Sequence, residues 1–416
     1  MIQSLIVDGG NRLVGETRVG GAKNSVLPIL ASTVLTDGES VLHNCPVISD
    51  VYSAERILTH LGCSSSLEEN TAIVKSSVNR YDIPEKLMCE MRSSIIFLGA
   101  LLGKTGRCTL SLPGGCELGA RPIDIHINSL KKMGAVVTEK FGTLDFSAPK
   151  GLCGAKLILP FPSVGATENI ILAACLANGE TQIKNAAREP EIADLADFLN
   201  KCGAKITGAG EGTVIINGVS SLKGSEHTIM PDRIVAATYM SAAASTGGEI
   251  RLAGICRNDL DSVVPVFEEM GCYVYSYGDS MFIKANKLHS VKKILTMPYP
   301  AFPTDAQAVV MAALACAEGT SVFVENIFEN RYQHVPALTK MGADIKVEGK
   351  VAIVEGVKSL SGANVYATDL RGGAALVVAA LGAEGRTVIG NIHHIDRGYE
   401  NIEKSFSLLG GKISRK

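Results

Sequence analysis

The sequence predicts an α/β protein built from six repeats of about 70 residues, and three observations predict it. First, a short phrase centred on glycine recurs: Leu61-Gly62-Cys63, Met133-Gly134-Ala135, Cys202-Gly203-Ala204, Met270-Gly271-Cys272, Met341-Gly342-Ala343 and Leu409-Gly410-Gly411. Its glycines are 72, 69, 68, 71 and 68 residues apart. Second, another glycine series, Gly38, Gly106, Gly179, Gly247, Gly319 and Gly385, keeps nearly the same period. Third, the same order of patterns returns between the markers, and it reads as βαβαββ.

The third repeat illustrates the elements in order. An apolar helix over 171–177 ends at the first glycine marker, as helices often do. A short strand follows at 181–184, and an amphipathic helix over 192–202 ends at the second marker. Two strands in hairpin style, 204–207 and 213–216, close the unit. The first helix is apolar nearly all round, so it belongs in the interior with the sheets outside it. That inverts the usual barrel.

Three such units make a domain of ordinary size, so six imply two similar domains. The first is expected over 22–230 and the second over 1–21 plus 231–416. The opening segment, with Leu5-Ile6-Val7 and Thr17-Arg18-Val19, is placed with the C-terminal half, closing the second domain. A cleft between two lobes is a frequent place for a ligand.

Bulk properties narrow the class. The chain has 416 residues, 46% of them hydrophobic, and a net charge of -2, which gives no reason to expect nucleic acid or an anionic membrane as partner. Met1-Ile2-Gln3-Ser4-Leu5 has neither the basic nor the apolar segment of a signal peptide, and the apolar run near 95–103 is too short to span a bilayer. Eleven cysteines without a C-x-x-C pair point to neither a disulfide framework nor a zinc ribbon. Cys63, Cys175, Cys202, Cys272 and Cys316 read as small buried hydrophobes. The expectation is a reduced, cytoplasmic protein. Without a metal-ligand cluster, a Walker A loop or a Rossmann glycine pattern, no metal and no cofactor are expected.

The chemistry collects in two registers. Fourteen residues before each glycine of the second series stand Asn24, Arg92, Gly165, Arg233, Asp305 and Arg371, each at the start of an interior helix. A cation in the first helical turn opposes the macrodipole, so three arginines there are unfavourable unless an anion sits beside them. Helix N-termini themselves bind anions, and Lys23 adds a cation after Gly20-Gly21-Ala22. The plain alternative for each arginine is a carboxylate partner; repetition in register favours a shared anionic ligand. A second series, Arg121, Arg188, Arg257, Arg331 and Arg397, follows the strand of each repeat, with Arg188 the best candidate for a packing role. Arginine forks fit carboxylate and phosphate oxygens.

The second repeat is the long one. From the first glycine marker to the second the six units run 24, 28, 24, 24, 23 and 25 residues, and the excess falls around 113–119. Pro113-Gly114-Gly115-Cys116-Glu117-Leu118-Gly119-Ala120-Arg121-Pro122 is a loop with a thiol five residues before a guanidinium, and nearby positive charge favours the thiolate. Such an elaboration of a regular scaffold favours a chemical role for Cys116. Asp305 is the one acid in the helix-start register. It is either a dipole-favouring carboxylate with Thr304 as cap, or a base for a substrate hydroxyl held within hydrogen-bond reach.

Nine motifs carry a resemblance that spans essentially the whole chain in order. They are Gly21-Ala22-Lys23-Asn24, Pro113-Gly114-Gly115-Cys116, Gly119-Ala120-Arg121-Pro122, Ser163-Val164-Gly165-Ala166-Thr167, Ala187-Arg188-Glu189-Pro190-Glu191, Pro231-Asp232-Arg233-Ile234, Phe302-Pro303-Thr304-Asp305, Asp369-Leu370-Arg371 and His394-Ile395-Asp396-Arg397-Gly398-Tyr399-Glu400. The sequence resembles the UDP-N-acetylglucosamine 1-carboxyvinyltransferases. The resemblance implies a two-domain inside-out α/β barrel and the transfer of the enolpyruvyl group of phosphoenolpyruvate to the 3-hydroxyl of UDP-N-acetylglucosamine, with release of phosphate. This is the first committed step of peptidoglycan synthesis in a bacterial cytoplasm, and so bears on cell-wall biogenesis, cell shape and division. It implies addition–elimination through a tetrahedral phospho-ketal, with no metal required.

The resemblance also implies roles. Cys116 matches a loop cysteine that donates a proton and bonds covalently to phosphoenolpyruvate or fosfomycin. Lys23, Arg121 and Arg397 match cations that hold phosphoenolpyruvate, and Asp305 matches the residue that hydrogen-bonds the sugar hydroxyl, the candidate base. Asn24, Arg92, Arg121, Pro122, Ile123, Asp124, Ile125, Ser163, Val164 and Gly165 match nucleotide-sugar contacts. Ile327 and Arg331 are expected among the substrate contacts, and Asp369 and Arg371 beside the reacting centre. Departures from the family pattern are Phe161, where some members carry a basic residue, with Ile96, Val235, Ala237 and Ala306. None removes a charged catalytic group. Two alternatives stay open: a non-catalytic, nucleotide-sugar-binding paralogue, and a 5-enolpyruvylshikimate-3-phosphate synthase, which shares the fold and donor but lacks the loop cysteine.

Overall fold

Both glycine series are conformational requirements of the backbone. In the computed structural model, which describes residues 3–91, 93–111 and 123–416, all twelve marker glycines have φ between 62° and 105°. Side chains of L-residues avoid that region, so a glycine there turns the chain between a helix and a strand without strain, as Gly106 does directly after Phe97–Thr105.

The chain is an α/β protein. Its interior helices are Lys23–Ser32, Phe97–Thr105, Val164–Ala174, Arg233–Ser245, Thr304–Leu314 and Leu370–Gly382. In Arg233–Ser245 and in Leu370–Gly382, 11 of 13 residues are buried, which leaves no solvent face. Small residues allow close approach between these helices. A Cβ on Gly99 would lie 2.2 Å from the carbonyl oxygen of Asn169, so the contact between Phe97–Thr105 and Val164–Ala174 needs glycine there. The amphipathic helices Ser49–His60, Asp124–Lys132, Pro190–Lys201, Val264–Glu269, Val335–Lys340 and Ile402–Leu408 each bury one stripe.

Among the described residues the strands form six sheets with one common order. In the third repeat, Glu180–Lys184 runs parallel to Lys156–Ile158 and antiparallel to Thr213–Asn217, which pairs in turn with the outer strand Lys205–Thr207. Three sheets are completed by distant segments. Thr36–His43 takes its parallel partners from Leu222–Lys223 and Glu226–Thr228. Leu5–Asp8 lies between Arg386–Gly390 and Lys412–Arg415, with Ile6 opposite Val388 on one side and Ser414 on the other. This C-terminal sheet therefore takes one of its strands from the N-terminal segment, and alternate residues Leu5 and Val7 are fully buried there. Val14–Arg18 joins a different sheet, parallel to Glu249–Ala253.

Contacts divide the described residues into two compact units. One holds the residues up to Gly20 and those from Pro231 to Lys416; the other runs from Gly21 to Met230. Each has its own apolar core. In the first, the helices Arg233–Ser245, Thr304–Leu314 and Leu370–Gly382 pack on one another; in the second, Phe97–Thr105 packs against both Lys23–Ser32 and Val164–Ala174. Phe97, Phe146, Phe198, Phe267, Phe323 and Phe406 are among the largest fully buried side chains, and truncating one to alanine removes about 3–5 kcal/mol of stability.

The described cysteines are free thiols. Cys63, Cys175, Cys202 and Cys272 are buried as expected, and Cys316 is only half-buried. Burial pushes the thiols of Cys175, Cys202 and Cys272 up to about 12, which keeps them protonated and inert. No helix among the described residues is long and apolar enough to cross a membrane.

Candidate functional site

In the C-terminal unit the site grows from the start of the helix Thr304–Leu314. Asp305 stands at its second position, where the free N–H groups favour a carboxylate. Its two oxygens accept from two guanidiniums: Arg331 Nη2 at 2.8 Å and Arg371 Nη2 at 3.0 Å. The arginine side chains are each 3% exposed and the aspartate 27%, so the carboxylate faces outward and its two cations lie behind it. Arg331 also donates to the Thr304 carbonyl at 3.1 Å. Arg371 donates to the Tyr399 hydroxyl at 3.3 Å, and that hydroxyl lies 2.8 Å from Thr238 Oγ1. Burial alone would lower the Arg371 pKa, but Asp305 and Tyr399 outweigh it and hold the guanidinium charged. The phenol of Tyr399 is raised by burial, against the lowering effect of Arg371.

The conflict between arginines and helix dipoles is resolved by capping. Asp369 accepts from the amides of Arg371 at 3.0 Å and Gly372 at 3.1 Å. Asp232 does the same for Ile234 at 2.8 Å and Val235 at 3.0 Å, beside Arg233. Each cap supplies a negative charge at the positive end of its helix, which makes room for a cation one or two residues later.

Three residues outside the sequence registers shape this cluster. Glu325 is buried; one oxygen accepts from the amides of Ile327 and Phe328 at 2.8 and 3.1 Å, and the other from Thr304 Oγ1 at 3.0 Å. It thereby ties the Ile327 turn to the helix that carries Asp305. Tyr399 supplies the hydroxyl that orients Arg371. His334 is buried, and among the described residues neither ring nitrogen has a hydrogen-bond partner. Burial lowers its pKa to about 4, although Asp369 acts in the other direction. Arg397 ends the short helical turn Ile392–Arg397 and is half-buried, next to Asp396, which Arg415 holds at 2.8 and 2.9 Å.

In the N-terminal unit the candidate residues are arranged differently. Lys23 opens the helix Lys23–Ser32 and is 8% exposed, with Nζ 2.8 Å from the buried carboxylate of Asp50. Asn24 follows it, half-buried. Ser163 caps the helix Val164–Ala174 by accepting from the Ala166 amide at 3.3 Å. Ile123 precedes the helix Asp124–Lys132, which carries Asp124 and Ile125 at its first two positions and His126 at its third. His126 packs on Gly165: a Cβ there would sit 3.4 Å from the ring carbon Cε1. Asn169 holds the ring, with Nδ2 2.9 Å from His126 Nδ1 and 3.0 Å from the Ile95 carbonyl, and its Oδ1 accepts from the Gly99 amide at 2.6 Å. Burial lowers the His126 pKa to about 4, so the imidazole is neutral with its proton on Nε2. Glu168 is buried one turn on; desolvation, with Glu191 and Glu189 adding to it, raises its pKa well above the usual range.

The structure thus joins Asp305, Arg331, Arg371 and Asp369 in one network and sets Asp124 and Ile125, with Ile123 just before them, at the start of the helix whose His126 packs on Gly165. Arg92, Cys116, Arg121, Pro122 and the loop 113–119 lie outside the described residues. The second arginine series is not uniform. Arg188 is exposed, and Arg257 pairs with Asp261 on the surface at 2.5 Å. Of the departures, Ile96, Ala237 and Ala306 are core positions, Val235 is partly buried against the core, and only Phe161, 41% exposed, presents a side chain to solvent.

Comparisons with known proteins agree over the full length. Residues 7–406 match the family model of EPSP synthase (3-phosphoshikimate 1-carboxyvinyltransferase). A UDP-N-acetylglucosamine 1-carboxyvinyltransferase 2 from Caldanaerobacter subterraneus subsp. tengcongensis is 49% identical over 411 residues, 98% of each chain. A UDP-N-acetylglucosamine 1-carboxyvinyltransferase from Gluconacetobacter diazotrophicus is 46% identical over 413 residues, 99% of this chain and 98% of its own. Among solved structures, the enolpyruvyl transferase NikO from Streptomyces tendae superposes with a TM-score of 0.90 at 25% identity, covering 100% of this chain and 99% of its own. An EPSP synthase from Acinetobacter baumannii shares the fold, with a TM-score of 0.78 at 20% identity over 100% of both chains.

Proposed function

We infer the function from one premise: the chain belongs to the EPSP synthase family and, within it, to the UDP-N-acetylglucosamine 1-carboxyvinyltransferases. It transfers the enolpyruvyl group of phosphoenolpyruvate to the 3-hydroxyl of UDP-N-acetylglucosamine and releases phosphate, the committed step of peptidoglycan synthesis. The observation that carries the mechanism is the carboxylate of Asp305, fixed outward by Arg331 and Arg371.

Asp305 accepts the proton of the sugar hydroxyl as that oxygen bonds to C2 of phosphoenolpyruvate. Cys116 delivers a proton to C3, so the double bond becomes a methyl group and C2 a tetrahedral phospho-ketal. Loss of a C3 proton then restores the double bond as the C2–O bond to phosphate breaks. Lys23, Arg121 and Arg397 hold the phosphate and carboxylate of phosphoenolpyruvate, where several fixed donors are required. Asn24, Arg92, Ile123, Asp124, Ile125, Ser163, Val164, Gly165 and Ile327 contact the nucleotide sugar, with the amides at the start of Val164–Ala174 facing oxyanions. Asp369 keeps Arg371 in place. Each unit is an inside-out α/β barrel of three βαβαββ repeats; the common strand order and the buried interior helices support that reading. The domains are 22–230 and 1–21 plus 231–416, and the enzyme works in the cytoplasm, serving cell shape and division. Fosfomycin alkylates Cys116, as the thiolate opens the epoxide.

Asp305→Ala is expected to abolish phosphate release while calorimetric binding of UDP-N-acetylglucosamine stays largely intact. Full turnover would reduce Asp305 to a helix-start carboxylate. Cys116→Ser is expected to lose fosfomycin labelling; label found on another cysteine by mass spectrometry would reassign the nucleophile.

A further inference from the structure

The six sheets share one order, so their outer strands are equivalent positions: Ser64–Glu68, Val136–Lys140, Lys205–Thr207, Tyr273–Tyr277, Asp344–Glu348 and Lys412–Arg415. Each pairs with a single described strand and turns its other edge outward. Such edges invite pairing with another chain, and charged side chains are a common defence. Five of the six have that defence: Glu68; Glu139 and Lys140; Lys205; Asp344, Lys346 and Glu348; Lys412 and Arg415. Tyr273–Tyr277, Tyr-Val-Tyr-Ser-Tyr, has none.

Its outer face is aromatic instead. Tyr273, Tyr275 and Tyr277 are 67%, 51% and 83% exposed and alternate along the strand, so all three stand on one side of the sheet. The patch is ordered by its own contacts. Tyr275 stacks on its cross-strand partner Phe282 with centroids 4.7 Å apart and planes at 4°, and meets Tyr273 edge-on at 6.3 Å. Arg251 lies over Phe282 at 5.6 Å and is fixed by Glu16 at 3.0 Å, which extends the row across the sheet.

We propose that Tyr273–Tyr277 is a self-association edge, pairing antiparallel with the same strand of a second copy of this chain. A two-fold register centred on Tyr275 sets Tyr275 against itself and Tyr273 against Tyr277 of the second copy. No like charges oppose each other in that register, whereas self-pairing of any of the other five edges brings formal charges into the interface. At the strand ends Asp279 of one copy falls opposite Gly271 of the other, an uncharged residue. Aromatic cross-strand pairs in this arrangement stabilise a sheet.

Sedimentation velocity on the full chain, over a dilution series in the micromolar range, tests this. The chain is expected to be dimeric at the upper end, and Tyr275→Lys, which sets two ammonium groups face to face, to be monomeric with an unchanged far-UV spectrum and phosphate-release rate. Mixing Tyr275→Lys with Tyr275→Glu is expected to restore the dimer. Tyr273→Lys/Tyr277→Glu, which places opposite charges across the same two-fold, is expected to remain dimeric. A wild-type chain that is monomeric throughout, as it would be if the tyrosines served a different partner or a saccharide, overturns the proposal. So does a Tyr275→Lys variant that stays dimeric.

Discussion

The starts of the helices Thr304–Leu314 and Val164–Ala174 occupy the same place in their repeats but are built differently. At the first, Asp305 is gripped by two buried guanidiniums, and acids cap the neighbouring helices. At the second, the register residue is Gly165, the cap is an uncharged serine, and the side chain beside it is a neutral histidine held by an amide. Nearby, burial holds the Glu168 carboxyl well above the usual range. One scaffold position thus yields a fixed ionic network in one unit and backbone donors among neutral groups in the other. The first suits an orienting base and the second suits contact with a ligand's own charge, because no built-in carboxylate competes for the free amides.

The contrast breaks most readily at Arg371. Arg371→Lys keeps the charge but removes the fork that reaches both Asp305 and Tyr399, and a buried hydrogen-bonding group left without its partner destabilises by about 1–3 kcal/mol. Thermal melting should show that loss, and phosphate release should fall by roughly 10²-fold as Asp305 loses its orientation. An unchanged variant would make the ionic network incidental.

Protonation of His126 and His334 comes next. Both ionise near 6.5 when unfolded and near 4 when folded, because burial disfavours the cation. Between those values the unfolded chain binds more protons, so stability rises with pH and is lost on acidification from about 6.5 to 4. Each group is worth on the order of 3 kcal/mol over that window. Melting curves of His126→Gln against pH should be flatter than wild type, and identical slopes would place the acid sensitivity elsewhere.

Glu168 has the opposite sign. Its folded pKa is raised, so above about 4.5 the unfolded chain ionises while the folded one does not, and stability falls as pH rises. Glu168→Gln keeps the shape and removes the titration. A higher melting temperature than wild type at mildly alkaline pH is expected; a lower one would mean that the carboxylate is ionised and paired. At the far end, Arg257→Ala removes only an exposed i,i+4 pair. It should change stability by less than about 0.5 kcal/mol and leave turnover within twofold.

Much of the fold was legible because its punctuation is chemical. Only glycine adopts the left-handed turn cheaply, so Gly62 and its counterparts mark helix ends in any context. The interior helices were legible from apolarity on every face. Less visible was the exact service of the opening segment: Leu5–Asp8 closes the sixth sheet, whereas Val14–Arg18 joins the fourth. That pairing depends on register across nearly the whole chain, which no local pattern records. The charged half of the site was legible through arginines repeated at helix starts, but not that Arg331 and Arg371 share one carboxylate. Glu325 was missed because it sits singly at the end of an apolar strand, and His334 because it follows the polar run Glu329-Asn330-Arg331-Tyr332-Gln333, which gives no sign of burial. Asn169 was missed because it lies in the middle of an interior helix, where a buried polar residue shows no period.

The most direct measurement is phosphate release by the purified chain with phosphoenolpyruvate and each candidate acceptor. Rapid release with UDP-N-acetylglucosamine and none with 3-phosphoshikimate is the predicted result. Release with 3-phosphoshikimate alone, or with neither acceptor at saturation, would contradict it.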